Sequence, residues 1–278
     1  GSVSFSKSVS SSANLHRFVR AAVKLCAFYP ACMSRRFFSE QAIVGPAVTL
    51  RGPEAHHLAH VLRAKPGDEV ELFDGLGAEF SARIERVGRT EVQLAIVESR
   101  PVERELDFEL TLAVALPKGD RQRWLVEKAT ELGVARLVPL VTQRSVAQPA
   151  AGAIERLRRT VIEASKQCGR NRLMEVNDLL AWHDWLASAP ADACRLVGHP
   201  GGLGAITASA AGARQVFASI GPEGGFTEEE SAAAERAGWT LVDLGPRILR
   251  VETAATLLTA MVLSARESVP RRTQPGQA

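Results

Sequence analysis

The sequence predicts an α/β fold in two unequal parts: a small β-barrel-like domain over 34–100 and a larger domain with a mostly parallel sheet over 106–266. Three observations predict it. Between residues 34 and 100, short runs of strand character succeed one another with a single helical interruption. From Leu106 onward strand and helix alternate, the signature of a parallel sheet. Finally, two irregular loops, IGPEGGF (220–226) and LGPRILRVETA (244–254), each follow an apolar strand run and precede a helix. That pattern predicts neighbouring parallel strands with both loops at one sheet edge, where open α/β sheets bind ligands.

In the first part, 36–38 and 47–50 read as short strands and 53–64 as a helix with Pro53 in its first turn. After the Pro66-Gly67-Asp68 turn, 69–73, 79–87 and 91–97 read as strands. Residues 98–105, charged and holding Pro101, read as a linker. In the second part, 108–116 (FELTLAVAL) is a buried-strand run. Asp120 is placed to cap a helix through Leu132, with Trp124, Leu125, Ala129 and Leu132 on one side and Gly133 as its stop. Residues 136–142 form the next strand. The helix over 154–168 puts Ile154, Leu157, Val161 and Cys168 on one face, pairs Glu155 with Arg159 and ends at Gly169. A helix over 178–187 and strands over 194–198, 215–220 and 239–244 follow. Thr227 and Glu230 form a T-x-x-E capping box for a helix ending at Gly238. The last helix, 252–266, carries Leu257, Leu258, Met261 and Ala265 as its apolar stripe.

Charge is unevenly placed. Residues 1–32 hold Lys7, Arg17, Arg20 and Lys24 and no acid, a charge of +4, whereas the whole chain carries +3, so the remainder sums to −1. Nucleic-acid binding by the folded part therefore requires a local patch. Gly1-Ser2 reads as a cloning remnant. The Ser/Arg-rich stretch after it reads either as an organellar transit peptide or, preferred here, as an extension ahead of a start at Met33. A disordered leader over 1–32 and a flexible tail over 267–278 are expected, in a soluble cytoplasmic protein; an organellar location follows instead if the leader is a targeting peptide. Cys26, Cys32, Cys168 and Cys194 lack C-x-x-C spacing, which argues against a zinc site or a disulfide framework. His56 and His60 share a helix face without a third ligand, so a packed or solvated pair is preferred over a metal.

The two loops carry the chemistry. GPEGG places three glycines and a proline in five residues ahead of a helix N-terminus, where a ligand can approach the backbone closely. A plain strand-to-helix turn explains the same glycines. The spacing fits neither a Rossmann fingerprint nor a P-loop, and no G-x-S-x-G elbow is present. In the second loop Arg247, Arg250 and Glu252 alternate with Ile248, Leu249 and Val251. This suits a flat heterocycle and an anion, or equally a set of apolar plugs flanked by surface charges. Basic residues recur at other sheet-edge positions (Lys118, Arg121, Arg144, Lys166 and Arg170) and in the small domain (Arg35, Arg36 and Arg63). Gathered on one side they would form a phosphate-binding patch.

GPEGGFTEEE followed by LGPRILRVETA resembles the signature of the RsmE family, bacterial 16S rRNA uridine-N3 methyltransferases of the SPOUT class. The similarity extends in order to HHLAHVLRAKPGDEVELFDG, ALPKGDRQRWLVEKATELGV, TQRSV and EASKQCGR, roughly from Arg35 to Ala265. It implies a PUA-like N-terminal β-barrel, a SPOUT domain with a trefoil knot, a homodimer, no metal and no membrane, and 16S rRNA within the small ribosomal subunit as substrate. It also implies that S-adenosyl-L-methionine lies between three loops: Leu196, Val197, Gly198 and His199; Ile220, Gly221, Pro222, Glu223, Gly224 and Gly225; and Leu244, Gly245, Arg247, Ile248, Leu249 and Arg250. For the reaction it points to Arg250 as the group stabilising the uracil anion and to Glu223 or Glu252 for the proton. Arg35, Arg36, Arg63, Lys118, Arg121, Arg144, Lys166 and Arg170 would grip RNA. The family pattern is departed from at Gln143, where an acid is common, and at Cys168, where serine is usual. Two rival readings stand beside this one: a related SPOUT enzyme acting on another rRNA or tRNA uridine, and a non-catalytic RNA-binding module.

Overall fold

The computed structural model describes residues 35–145, 152–210 and 212–267. The expected leader and the tail past residue 267 lie outside them; Glu267 itself ends the last helix.

The first sheet is built from β1 (Arg36–Phe38), β2 (Ala47–Arg51), β3 (Glu69–Phe73), β4 (Ala78–Val87) and β5 (Glu91–Pro101), in the order β1-β3-β4-β5-β2. Alternate residues turn one way: Val70 and Leu72, Phe80, Ala82 and Ile84, and Val92 and Leu94 join Phe37 and Leu58 in one core. The β4–β5 register shifts at Ser81/Ala82, where Val97 of β5 is extra, and at Ile84/Arg86, where Glu85 of β4 is extra, as at β-bulges. β5 runs to Pro101, so the expected linker begins inside a strand. The expected helix over 53–64 is instead a short α1 (Gly52–His56) followed by a π turn (His57–Val61), with Arg63 at φ 50°.

The second sheet is parallel throughout. Its strands are β6 (Glu109–Val114), β7 (Arg136–Val141), β8 (Glu175–Val176), β9 (Leu180–Ala181), β10 (Cys194–Gly198), β11 (Gln215–Ile220) and β12 (Thr240–Val242). Their order is β12-β10-β11-β6-β7-β8, with β9 also on β7. Helices α2 (Arg121–Glu131), α3 (Ala153–Cys168), α4 (Trp182–Ser188), α5 (Ile206–Ala210), α6 (Glu228–Arg236) and α7 (Val251–Glu267) cover it. Leu110, Leu112 and Val114 face one core with Leu125, Leu157 and Leu258, while Ala113 and Ala115 face the other with Trp182, Trp185 and Ala234. Coverage on both faces explains the continuous apolar stretch from Leu112 to Leu116.

Several expectations change. β11 and β12 are not neighbours, because β10 lies between them and pairs with both. Trp124 is 41% exposed and leaves the apolar face of α2. Asp120 occupies the N-cap position without a capping side-chain bond. Glu155 pairs with Arg158, one turn position earlier than Arg159. The helix expected over 178–187 begins only at Trp182, after the short β9.

β12 is held on both edges. β10 pairs with it on one side, and on the other Leu203 bridges Val242 while Gly204 N–H donates to Leu241 O at 2.9 Å. The late strand thus sits inside the loop that follows β10. Gly202 and Gly204 make this possible: a Cβ on Gly204 would stand 2.1 Å from Thr240 Cγ2, and one on Gly202 2.6 Å from the Leu241 carbonyl carbon.

Candidate active site

Because β10, β11 and β12 run parallel, residues 198–204, 220–226 and 243–250 leave the sheet at the same edge. The strand ends meet closely: a Cβ on Gly198 would lie 2.5 Å from Ile220 Cδ1 and 3.3 Å from Leu244 Cδ1. Outward of that contact the loops open. Gly225 (φ 69°) and Gly245 (φ 102°) adopt the left-handed conformation that favours glycine, and nothing stands within 4 Å of where a side chain would project. Leu203 and Ile248 are fully exposed at the same edge. Bare backbone and uncovered aliphatic side chains together make a surface suited to a flat, partly apolar ligand.

Polar contacts fix each loop. Asp243 accepts the N–H of Gly201 at 2.7 Å through Oδ2 and that of Gly245 at 2.6 Å through Oδ1, tying two loops together. These two N–H donors, Gly201 first, hold its carboxyl below the usual carboxylate value. Arg144 donates to the carbonyl of Gly224 at 2.8 Å, and Gly225 N–H closes a turn onto Pro222 O at 2.8 Å. Thr227 and Glu230 form the expected capping box of α6, with Glu230 N to Thr227 Oγ1 at 3.2 Å and Thr227 N to Glu230 Oε2 at 2.9 Å. Glu230 also accepts Gln143 N–H at 2.8 Å, which joins the end of β7 to the start of α6.

The residues expected to hold a cofactor divide by position. Gly198 and His199 stand at the strand end; Glu223, Gly224, Gly245, Arg247, Ile248 and Arg250 are exposed; Gly225, Leu244 and Leu249 are half-buried. Ile220, Gly221 and Pro222 are buried beneath them. Leu196 and Val197 lie deeper. They are fully buried within β10 and flanked by β11 and β12, so their backbone is engaged in the sheet and their side chains in its two cores. The side chains of Arg250 and Arg247 make no hydrogen bond or ion pair among the described residues, leaving both guanidiniums available at the mouth. Glu252, in the first turn of α7, is 7% exposed, and Arg121 stands between it and Glu223.

Of the residues expected to grip RNA, Arg35, Arg63 and Lys118 are exposed. Arg36 and Arg170 are not available. Each is 4% exposed. Arg36 donates to Ser165 O at 2.8 Å, to Arg170 O at 3.1 Å and to Asn171 Oδ1, while Arg170 pairs with Glu105 and donates to Thr130 O and Val134 O. They join the first sheet and its connector to the second. Burial pulls the Arg36 guanidinium below its usual value. Lys166 is likewise mostly buried and engaged with Glu54 at 2.9 Å. Arg144 is committed to the 220–226 loop and Arg121 to the two glutamates.

Asp243 was missed. Asp-x-Gly is a local turn signature, and that half of its role was visible, but the bond to Gly201 spans 42 residues. A groove of about 470 Å³ lies elsewhere, lined by Arg158, Val161, Leu173, Met174 and Val176 between α3 and β8. Arg158 is occupied there by Val176 O, and the groove is remote from the loop edge.

Residues 104–263 match the family described as an RNA methyltransferase domain, and residues 50–97 match an RNA methyltransferase PUA domain. A protein named ribosomal RNA small subunit methyltransferase E from Synechocystis is 32% identical over 239 residues, covering 84% of this chain and 78% of its own. Its namesake from Bacillus subtilis is 30% identical over 236 residues, covering 79% and 92%. Among solved structures, ribosomal RNA small subunit methyltransferase E from Neisseria gonorrhoeae bound to S-adenosyl methionine is 30% identical, with a TM-score of 0.76 over 84% of this chain and 98% of that one.

Proposed function

The chain belongs to the ribosomal RNA small subunit methyltransferase E family, of the SPOUT class, and on that premise we propose that it methylates N3 of a uridine in small-subunit ribosomal RNA, using S-adenosylmethionine. The observation that carries the reading is the convergence of three loops beyond β10, β11 and β12, with an unpaired Arg250 at their mouth.

The residues present fit the cofactor. Open space over Gly225 and Gly245 admits a heterocycle against bare backbone, and Leu203 and Ile248 offer it aliphatic cover. When bound between these loops, S-adenosylmethionine would supply an electrophilic methyl group on its sulfonium. This chain's residues must do the remainder. N3 of uracil is a poor nucleophile until its proton leaves. A cation beside the developing anion and a carboxylate for the proton both lower that barrier. Arg250, exposed and without a partner, is suited to the first role, and Glu223 or Glu252 to the second. Gly224, held by Arg144, and Gly201 and Gly245, held by Asp243, keep the loops in place, so little ordering remains for the moment of reaction.

RNA contact falls to the exposed Arg35, Arg63 and Lys118, and a second copy of the chain is the expected partner. Cytoplasm is the expected location.

The reading is tested by incubating the protein with labelled S-adenosylmethionine and small subunits lacking the modification, then mapping the labelled base. Label on N3 of a uridine is expected. No transfer to any RNA would reject the enzyme reading, and label on another base or RNA would reject the substrate. Arg250→Ala should cost at least about 100-fold in rate while leaving the fold intact.

A further inference from the structure

The two glutamates considered for the proton are joined by a residue that the sequence suggested for RNA. Arg121, the first residue of α2, places Nη2 3.2 Å from Glu223 Oε1 and Nη1 3.8 Å from Glu252 Oε2. The two carboxylates differ sharply in exposure: the Glu223 side chain is 48% exposed and that of Glu252 is 9%. Glu252 Oε2 is sealed from solvent and has no hydrogen-bond partner among the described residues.

A buried carboxylate oxygen without a donor is costly, and buried charge is ordinarily paired. At 3.8 Å the guanidinium supplies charge but is too distant for a hydrogen bond. One cation therefore serves two anions from three elements: the start of α2, the 220–226 loop and the first turn of α7. Together the three side chains carry a net charge of −1, which repels a phosphate. Without Arg121, two carboxylates would be left facing each other, one of them buried, and the loop would be driven off α7.

We propose that Arg121 is a positioning residue for the methyl transfer. It holds Glu223 at the mouth of the loops by bracing it against Glu252, so that Glu223 takes the N3 proton while Glu252 is the buried anchor. The inference rests on the methyltransferase reading. The proton moves from uracil N3 to a Glu223 carboxylate oxygen; Arg121 neither gives nor takes one.

The test measures initial rates on small subunits for the unaltered protein, R121A, E223Q and the double variant, with cofactor affinity measured for each by calorimetry. R121A and E223Q should each lower kcat at least about tenfold, with KM for RNA within about twofold. Because Arg121 acts through Glu223, the double variant should be no slower than the slower single variant. R121K should recover part of the loss. If R121A does not fold, R121A/E252Q, which leaves no buried charge alone, carries the same comparison. Losses that multiply in the double variant would overturn the proposal. So would a loss in R121A that lies in KM for RNA and steepens with salt, since that marks a phosphate contact. An unaltered protein that binds cofactor but transfers no methyl group would overturn the methyltransferase reading itself.

Discussion

The carboxylate of Asp243 accepts the backbone N–H of Gly201 at 2.7 Å, joining the loop after β10 to the loop after β12. Its other oxygen takes Gly245 N–H at 2.6 Å, so one side chain sets the spacing of two walls of the site. Asp243→Asn keeps one acceptor oxygen and loses the second along with the charge. Cofactor affinity should fall roughly tenfold in a calorimetric titration at neutral pH. Because the carboxyl lies below its ordinary 3.8, the clamp is complete above that pH and is lost only as pH falls through the lower value in the folded chain. Affinity between pH 5 and 8 should thus show no step attributable to Asp243.

Arg144 holds the carbonyl of Gly224 from the far end of β7. Arg144→Ala should free the 220–226 loop and raise the cofactor Kd by roughly three- to tenfold, the cost of about one charged hydrogen bond. The midpoint of thermal unfolding should move little. The contrasting result, unchanged cofactor affinity and a salt-dependent rise in RNA KM, would return Arg144 to the role expected from sequence.

Arg36 ties the first sheet to the end of α3 and the segment after it, from a position 4% exposed. Arg36→Met removes donors from Ser165 O, Arg170 O and Asn171 and leaves Glu79 short of a neighbouring cation. Glu79 keeps Arg104 at 2.9 Å and Arg100 at 3.6 Å, so the expected loss in urea unfolding is about 2 to 4 kcal/mol, the cost of buried acceptors left without donors. Separate transitions for the two sheets would show that the bridge couples them; an unchanged midpoint would show that it does not.

Cys194, buried in β10, has its thiol pushed up to about 11 by burial, from an ordinary 9.0. Below pH 9 the thiol is neutral in both folded and unfolded chains, and its contribution is complete. As pH rises toward 11 the unfolded chain ionises first, so that contribution is lost. The stability difference between the unaltered protein and Cys194→Ala should shrink by roughly 2 to 3 kcal/mol between pH 8.5 and 11.5.

What could be read from the residues follows from the range of the interactions concerned. The capping box of Thr227 and Glu230, the stop at Gly169 and the glycine-opened loops are local, and each took its expected form. Strand order is not local. The apolar period marks 215–220 and 239–244 as strands but cannot show that β10, from earlier in the chain, lies between them. Burial of arginine is equally opaque. Arg170 pairs with Glu105, 65 residues away, and Arg36 bonds 129 or more residues ahead, so both read as surface cations until the sheets are assembled. Arg121 was noticed for its charge, yet only the fold shows that two carboxylates share it.

The seam of Gly202 and Gly204 over β12 has a consequence for how the protein is made. A strand covered on one edge by its sheet and on the other by an earlier loop cannot be added from the side. Either its segment slides beneath residues 202–204, or those residues are laid across it after it has docked. Both routes place closure of this seam late in folding. The two glycines set the clearance for it, since a methyl group on Gly204 would already meet Thr240 at 2.1 Å. The edge at which the methyl donor is expected is therefore completed only after the C-terminal part of the chain has arrived. Partly synthesised chains would have no finished site in which to hold the cofactor.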